Sequence, residues 1–180
     1  ETDLKDAKLI RADLTDAELN YAVLDNANLR NSKLKKANLN DAKLKGANLT
    51  NAKLNKATLV NASLNKAKLR RSDLTKANLT NADLKRADFS SSNLEEANLF
   101  RASLISAKLR KANLTKAYLK NADLKKANLF SANLNGANLS NTNFFSADLA
   151  RANLSNADLT ASNLTNSDLS YANLKNADLS

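Results

Sequence analysis

Residues 77–94 read Ala77-Asn78-Leu79-Thr80-Asn81-Ala82-Asp83-Leu84-Lys85-Arg86-Ala87-Asp88-Phe89-Ser90-Ser91-Ser92-Asn93-Leu94. A large apolar residue arrives at every fifth position: Leu79, Leu84, Phe89, Leu94. A small residue stands two places before it, and Asn or Asp stands between them. Followed outward in both directions, the beat runs from Leu4 to Leu179 without a slip. It marks 36 positions, 34 of them Leu, the others being Phe89 and Phe144. The small residue is Ala in 29 units, and otherwise Thr2, Ser32, Ser72, Ser92, Thr142, Ser162 or Ser167. The residue between is Asn in 14 units and Asp in 10.

A period of five excludes both regular elements. On an α-helix five residues advance about 500°, so successive Leu would sit ~140° apart and spiral around the axis. On a straight strand side chains alternate, so residues five apart face opposite ways. Within one unit, however, Ala and Leu are two apart and share a face if the unit is briefly extended. The chain must then turn once per unit to keep that face inward. Ala, Leu and Lys favour helix by propensity, but the periodicity overrides them. Asn and Asp at every beat would weaken a helix and suit turns, where their side chains bond nearby backbone. The expected core is the Leu column with its two Phe, including Leu79, Leu84, Phe89, Leu94 and Phe144. Each Phe requires local widening or a small neighbour, and Ala at the second inward position limits the width.

The unit Ala-(Asn/Asp)-Leu-X-X, seen in Ala77-Asn78-Leu79-Thr80 and in Ala122-Asp123-Leu124, resembles the repeat of the pentapeptide-repeat family. The resemblance spans residues 1–180. It implies an all-β fold, a right-handed quadrilateral parallel β-helix with four units to each coil. Thirty-six units then make nine coils, a rod about 43 Å long at the ~4.8 Å spacing of paired strands. One solenoid domain over residues 1–180 is expected. The pattern shows no caps at either end, although solenoids need polar ones. The chain opens at Glu1 without Met, so a trimmed or excised segment is expected. The unbroken register and narrow alphabet also fit an idealised or designed sequence.

Composition removes much chemistry. There is no His and no Cys, hence no imidazole base, no thiol nucleophile and no zinc-type ligand set. Gly46 and Gly136 are isolated and form no phosphate loop. Asp148 with Asp168, and Asp158 with Asp178, fall 20 residues apart and would stack at about 5 Å, a glycosidase-like separation. Their place in the repeat makes them turn residues first, and a convex rod offers no cleft. The expectation is a protein that is not an enzyme and needs no cofactor. No apolar run reaches membrane-spanning length, and a soluble, cytoplasmic placement is the default.

The remaining signal is charge. Twenty-eight basic and 18 acidic residues give net +10. If residues 20 apart stack, the side carrying Leu9 and Leu29 holds ten basic and three acidic residues, net +7. The opposite side, carrying Leu19, is net −3, and the other two are +3 each. The densest basic groups are Lys68, Arg70, Arg71 and Lys108, Arg110, Lys111, with Asp88 between them. These six are the candidate anion-binding residues. Phe100, Ile105, Phe130 and Phe145 fall at outward positions and form a candidate apolar contact patch, with Phe100 and Ile105 expected to meet across a corner.

Three functional readings follow. The first is a non-catalytic repeat scaffold or protein-interaction rod, including association with itself end to end or as a dimer. The second is a nucleic-acid or anionic-surface binder through the basic side, although stacking aromatics are scarce there. The third comes from the resemblance: some family members protect topoisomerases by mimicking DNA, being acidic and dimeric. Net +10 opposes that reading here.

Overall fold

The computed structural model describes residues 2–180. No helix occurs among them; the chain is a succession of turns joined by single bridged residues. Each bridge is parallel and links residues 20 apart, from Asp3↔Val23 to Asp158↔Asp178. The coil is therefore 20 residues, four units, with one unit to each side. The expected short strands shrink to one residue, the one between Ala and Leu.

The corners explain how five residues suffice. The second X residue of each unit has φ between +55° and +71°, from Asp6 to Asn176. The next amide closes the turn onto the preceding Leu carbonyl, as in Ala7 N–H to Leu4 O at 3.1 Å and Ala82 N–H to Leu79 O at 3.1 Å. Positive φ at the third turn position is the type II signature. Such a conformation crowds Cβ and costs roughly 1–2 kcal/mol for most residues, less for Asn, Asp and Gly. Fifteen of the 35 corner positions are Asn, Asp or Gly, and the rest bear the strain. At Gly46 (φ +71°) a Cβ would also lie 2.6 Å from Asn26 Oδ1, so space and conformation both favour glycine.

The Asn or Asp between Ala and Leu was expected to be the turn residue itself. It sits mid-side instead, in the bridge, and reaches the corner through its side chain. Hydrogen-bond accounting shows why. The Leu amide and the second X amide donate to the next coil, as in Leu79 to Asn98 O (2.7 Å) and Asn81 to Phe100 O (2.9 Å). The bridging amide donates to the coil before, as in Asn78 to Ala57 O at 2.9 Å, and the Ala amide closes the turn. Only the first X amide has no backbone acceptor. In all 24 units with Asn or Asp, that side chain's Oδ1 accepts from it. Where the bridge residue is Lys43 or Thr58, the previous coil supplies the acceptor. Asp25 Oδ1 takes Lys45 N–H at 2.8 Å, and Asn40 Oδ1 takes Val60 N–H at 2.9 Å.

Turning the chain inward at every beat produces a solid interior. Every central residue from Leu24 to Leu159 is at most 1% exposed, Phe89 and Phe144 included. The end coils are looser, and Leu179 is 54% exposed. Hydroxyls at the Ala position are absorbed by turn carbonyls. Ser32, Ser72 and Ser92 donate to Leu29, Leu69 and Phe89 O at 2.6–2.7 Å, and Thr142 donates to Leu119 O at 2.9 Å. Among the described residues no buried side-chain polar atom lacks a partner, as a tightly packed interior demands.

Asn78→Ala orphans the Thr80 amide and is expected to cost about 1 kcal/mol in urea melts, whereas Asn78→Asp keeps the acceptor and holds stability within half of that. Equal losses would contradict the capping role. Ala97→Leu overpacks the interior and should cost ~1–3 kcal/mol, while Lys126→Gly relieves a corner at φ +58° and should gain up to about 1 kcal/mol.

Candidate anion-binding side

The register places the predicted basic residues as a column. The bridges Asn28↔Asn48↔Lys68↔Asp88↔Lys108 run up the Leu9 side at consecutive coils. Lys68, Arg70 and Arg71 therefore share one coil, and Lys108, Arg110 and Lys111 share the coil two above. All six are exposed. Asp88 lies between them, and its Oδ2 is 3.8 Å from Arg70 Nε. Arg70 is 63% exposed, so this pair contributes little. Asp88 Oδ1 is committed to the Ser90 amide and hydroxyl at 3.0 and 2.6 Å.

The basic character is concentrated low on this side. Residues 7–111 of it carry nine cations and one acid, whereas residues 127–171 carry Arg151 against Asp148 and Asp168. Within the basic stretch lies a depression of about 370 Å³ lined by Arg30, Asn48, Thr50, Asn51, Lys68, Arg70 and Arg71. Sequence reasoning named three of these residues. It missed Arg30, Asn48, Thr50 and Asn51, because the recess is a gap over small Thr50 between Arg30 and Arg70 rather than a run of charges. The available signal was the 20-residue column Arg30, Thr50, Arg70.

The candidate apolar residues stand on three sides of the rod. Phe100 lies on the Leu19 side, Ile105 and Phe145 on the Leu4 side, and Phe130 on the Leu9 side. Phe100 stacks on Tyr118, ring centroids 5.9 Å apart, with the Arg101 guanidinium 5.0 Å from its centroid. Lys125 covers Phe145 at 5.3 Å. Phe130 is flanked by Arg110 at 4.7 Å and Arg151 at 5.7 Å. Each ring is thus a platform for a cation, worth about 0.5–1 kcal/mol at an exposed site. Phe130 belongs to the basic side, where it steadies Arg110.

The carboxylate pairs behave as turn acceptors. Asp148 bridges Asp168, and Asp158 bridges Asp178, as expected. The Ser170 hydroxyl and amide hold Asp168 below the ordinary carboxylate range, and the Ser180 amide and hydroxyl do the same for Asp178. A general acid needs the opposite shift. Among the described residues no group of three or more Asp, Glu, His or Cys is placed to hold a metal ion. No helix there is long and apolar enough to cross a membrane.

A family profile described as a pentapeptide repeat region matches residues 31–99 and 97–174, and one described as pentapeptide repeats (8 copies) matches residues 1–35. Comparison with curated proteins finds no match. Among solved structures, the chain is similar to HetL, a pentapeptide repeat protein involved in heterocyst differentiation regulation from the cyanobacterium Nostoc sp. strain PCC 7120. Identity is 36% over 98% of this chain and 86% of that one, with a TM-score of 0.62. QnrB1, a plasmid-mediated fluoroquinolone resistance protein, matches in fold at 18% identity over 99% and 91% of the two chains, TM-score 0.64. A pentapeptide repeat protein from the Arabidopsis thaliana thylakoid lumen matches at 27% identity over 53% and 66%, TM-score 0.52. The shared architecture is the right-handed quadrilateral β-helix.

The carboxylate chemistry is testable at Asp13. The Thr15 hydroxyl (2.7 Å), the Lys33 ammonium (3.0 Å) and the Thr15 amide hold it at about 2. A folded-state value below the ordinary 3.8 means this stabilisation is present above pH 4 and is lost as pH falls toward 2. In an NMR titration, Thr15→Ala should raise the Asp13 midpoint more than Lys33→Gln does. The reverse order would make the ion pair the dominant cause.

Proposed function

The chain belongs to the pentapeptide-repeat family, and from that premise we propose that it is a non-catalytic rod that docks an acidic protein surface along its Leu9 side. The observation that carries this reading is polarity across a rigid body. Among the described residues one side holds net +7 and the opposite side net −2, around a core of fully buried Leu and Ala. Charge arranged this way steers encounter and fixes orientation. Flat sides with a repeating register suit a partner that lies along the rod rather than one that enters it.

Acids on the same side favour a protein partner over a nucleic acid. Asp88, Asp148 and Asp168 would each face a phosphate backbone at a cost, whereas a patterned protein surface can place a cation opposite them. On the Leu9 side the rings of Phe130 and Tyr171 are each flanked by an Arg guanidinium, and no row of open rings offers base stacking among the described residues. DNA mimicry of the topoisomerase-protecting kind is opposed by the sign of the charge. A supercoiling assay with DNA gyrase is expected to show neither inhibition nor protection at micromolar protein.

The test is side-specific charge reversal. With poly-glutamate as probe, affinity should fall steeply with salt. Reversing Arg70, Arg71, Arg110 and Lys111 to Glu should lower it at least tenfold. Reversing Lys33, Lys35, Lys36 and Lys53 on the Leu14 side removes the same charge and should cost several-fold less. Equal losses would mean that net charge alone binds, and a 20-base-pair DNA duplex preferred over poly-glutamate at equal salt would assign the side to nucleic acid instead.

A further inference from the structure

We propose that the depression between Arg30 and Arg70 is a site for the phosphoryl group of a phosphorylated segment of the partner protein. This rests on the docking reading above and names the group that one part of the side takes. The site is a gap in a column. Arg30, Thr50 and Arg70 are the first X residues of their units in three successive coils, locked by the bridges Asn28↔Asn48↔Lys68. Two coil spacings of ~4.8 Å put the two Arg backbones about 10 Å apart, with only a threonine between them. A tetrahedral oxyanion accepting a charge-assisted bond of about 2.8 Å from each guanidinium spans on the order of 8 Å, so it bridges that gap.

The surroundings favour a dianion. Arg30, Lys68, Arg70 and Arg71 all line the recess. Among the described residues the carboxylate paired with any of them is Asp88, on the far side of Arg70 at 3.8 Å. The floor is held in place by its own bonds. Thr50 donates from its amide (3.2 Å) and hydroxyl (2.7 Å) to Asn48 Oδ1, and Asn51 Nδ2 donates to Asn31 Oδ1 at 3.1 Å. The Asn48 oxygen, which would otherwise repel an anion at the centre, is thereby engaged. Four cations around one recess exceed what a single carboxylate with two oxygens can use. A phosphomonoester brings three oxygens and a charge of −1.5 to −2 at neutral pH. The second group, Lys108, Arg110 and Lys111, has small Ser90 below it, but Asp88 stands in that coil where neutral Asn48 stands in the first. The charge balance selects the Arg30–Arg70 recess.

The experiment uses the full chain and three fluorescent peptides differing at one position: phosphoserine, glutamate or serine, in an otherwise acidic sequence. At 150 mM salt the phosphoserine peptide should bind at least tenfold more tightly than the glutamate peptide. Arg30→Gln and Arg70→Gln should each erase most of that ratio, and Lys33→Gln on the Leu14 side should leave it unchanged. Thr50→Arg is the decisive variant. It fills the gap with a residue that the same column already accepts at 30, 70 and 110, so folding is expected and is checked by melting. It should bring the ratio near one, even though the glutamate peptide gains from the added charge. A ratio near one in the unaltered protein, or a ratio that survives Thr50→Arg, overturns the site while leaving side-wide docking intact. Failure of all three peptides to bind at low salt overturns the docking reading itself. Binding to phosphoinositide vesicles without preference for the phosphopeptide would assign the recess to a membrane headgroup and also overturn the proposal.

Discussion

Everything in this structure depends on one backbone conformation, the positive φ adopted by the second X residue of each unit. A hydrophobic beat of five can face one interior only if the chain turns through a corner at each beat. The corner needs a residue in a region that L-amino acids avoid. Lys, Arg, Glu, Tyr and Ser occupy it as well as Asn and Gly. The strain is local and repeated; burial of Leu and Ala on the inside of each corner opposes it in every unit. Stability is therefore a sum over near-identical neighbours, and it falls away at the ends, where Leu179 stands half exposed.

The second dependence is a single amide. Turning the chain so tightly leaves one N–H per unit beyond the reach of the coils above and below. In 24 units the Asn or Asp side chain answers it, and Asp25 and Asn40 answer it across coils for Lys45 and Val60. This duty also sets the chemistry of the acids. At Asp13, Asp168 and Asp178 the turn donors hold the carboxylate in its ionised form.

The period, the inward Leu and the enclosed Phe89 and Phe144 were legible in the sequence, while the sorting of charge by side also needed the 20-residue coil. The four-sided coil came from family resemblance, since a period of five does not say how many units close a turn. The Asn or Asp, taken as the turn residue, sits mid-side and reaches the corner through its side chain. Asn and Asp dominate the bridge position, which drew the turn assignment there, while the true corner holds a mixture whose only shared property is its φ. The recess at Thr50 was illegible for a related reason. It is defined by what is missing between two Arg, and a list of charges records only what is present. Phe100, Ile105, Phe130 and Phe145 stand on three sides of the rod by the same register.

Core and surface are thus nearly independent here. The interior demands Ala, Leu and a capping Asx, and leaves the outward positions free to carry a charge pattern, which is where any recognition must reside. The central claim is the 20-residue closure that aligns those positions, and disulfide trapping tests it most directly because the chain has no cysteine of its own. Lys33 and Lys53 are bridged partners, with backbones at a separation of about 5 Å that a disulfide spans. The double variant Lys33→Cys with Lys53→Cys should oxidise readily to an intramolecular cross-link without loss of fold. Lys33→Cys paired with Asn48→Cys or with Thr58→Cys, 15 or 25 residues away, should not. Cross-linking at either of those spacings as readily as at 20 would contradict the four-sided coil and the surface built on it.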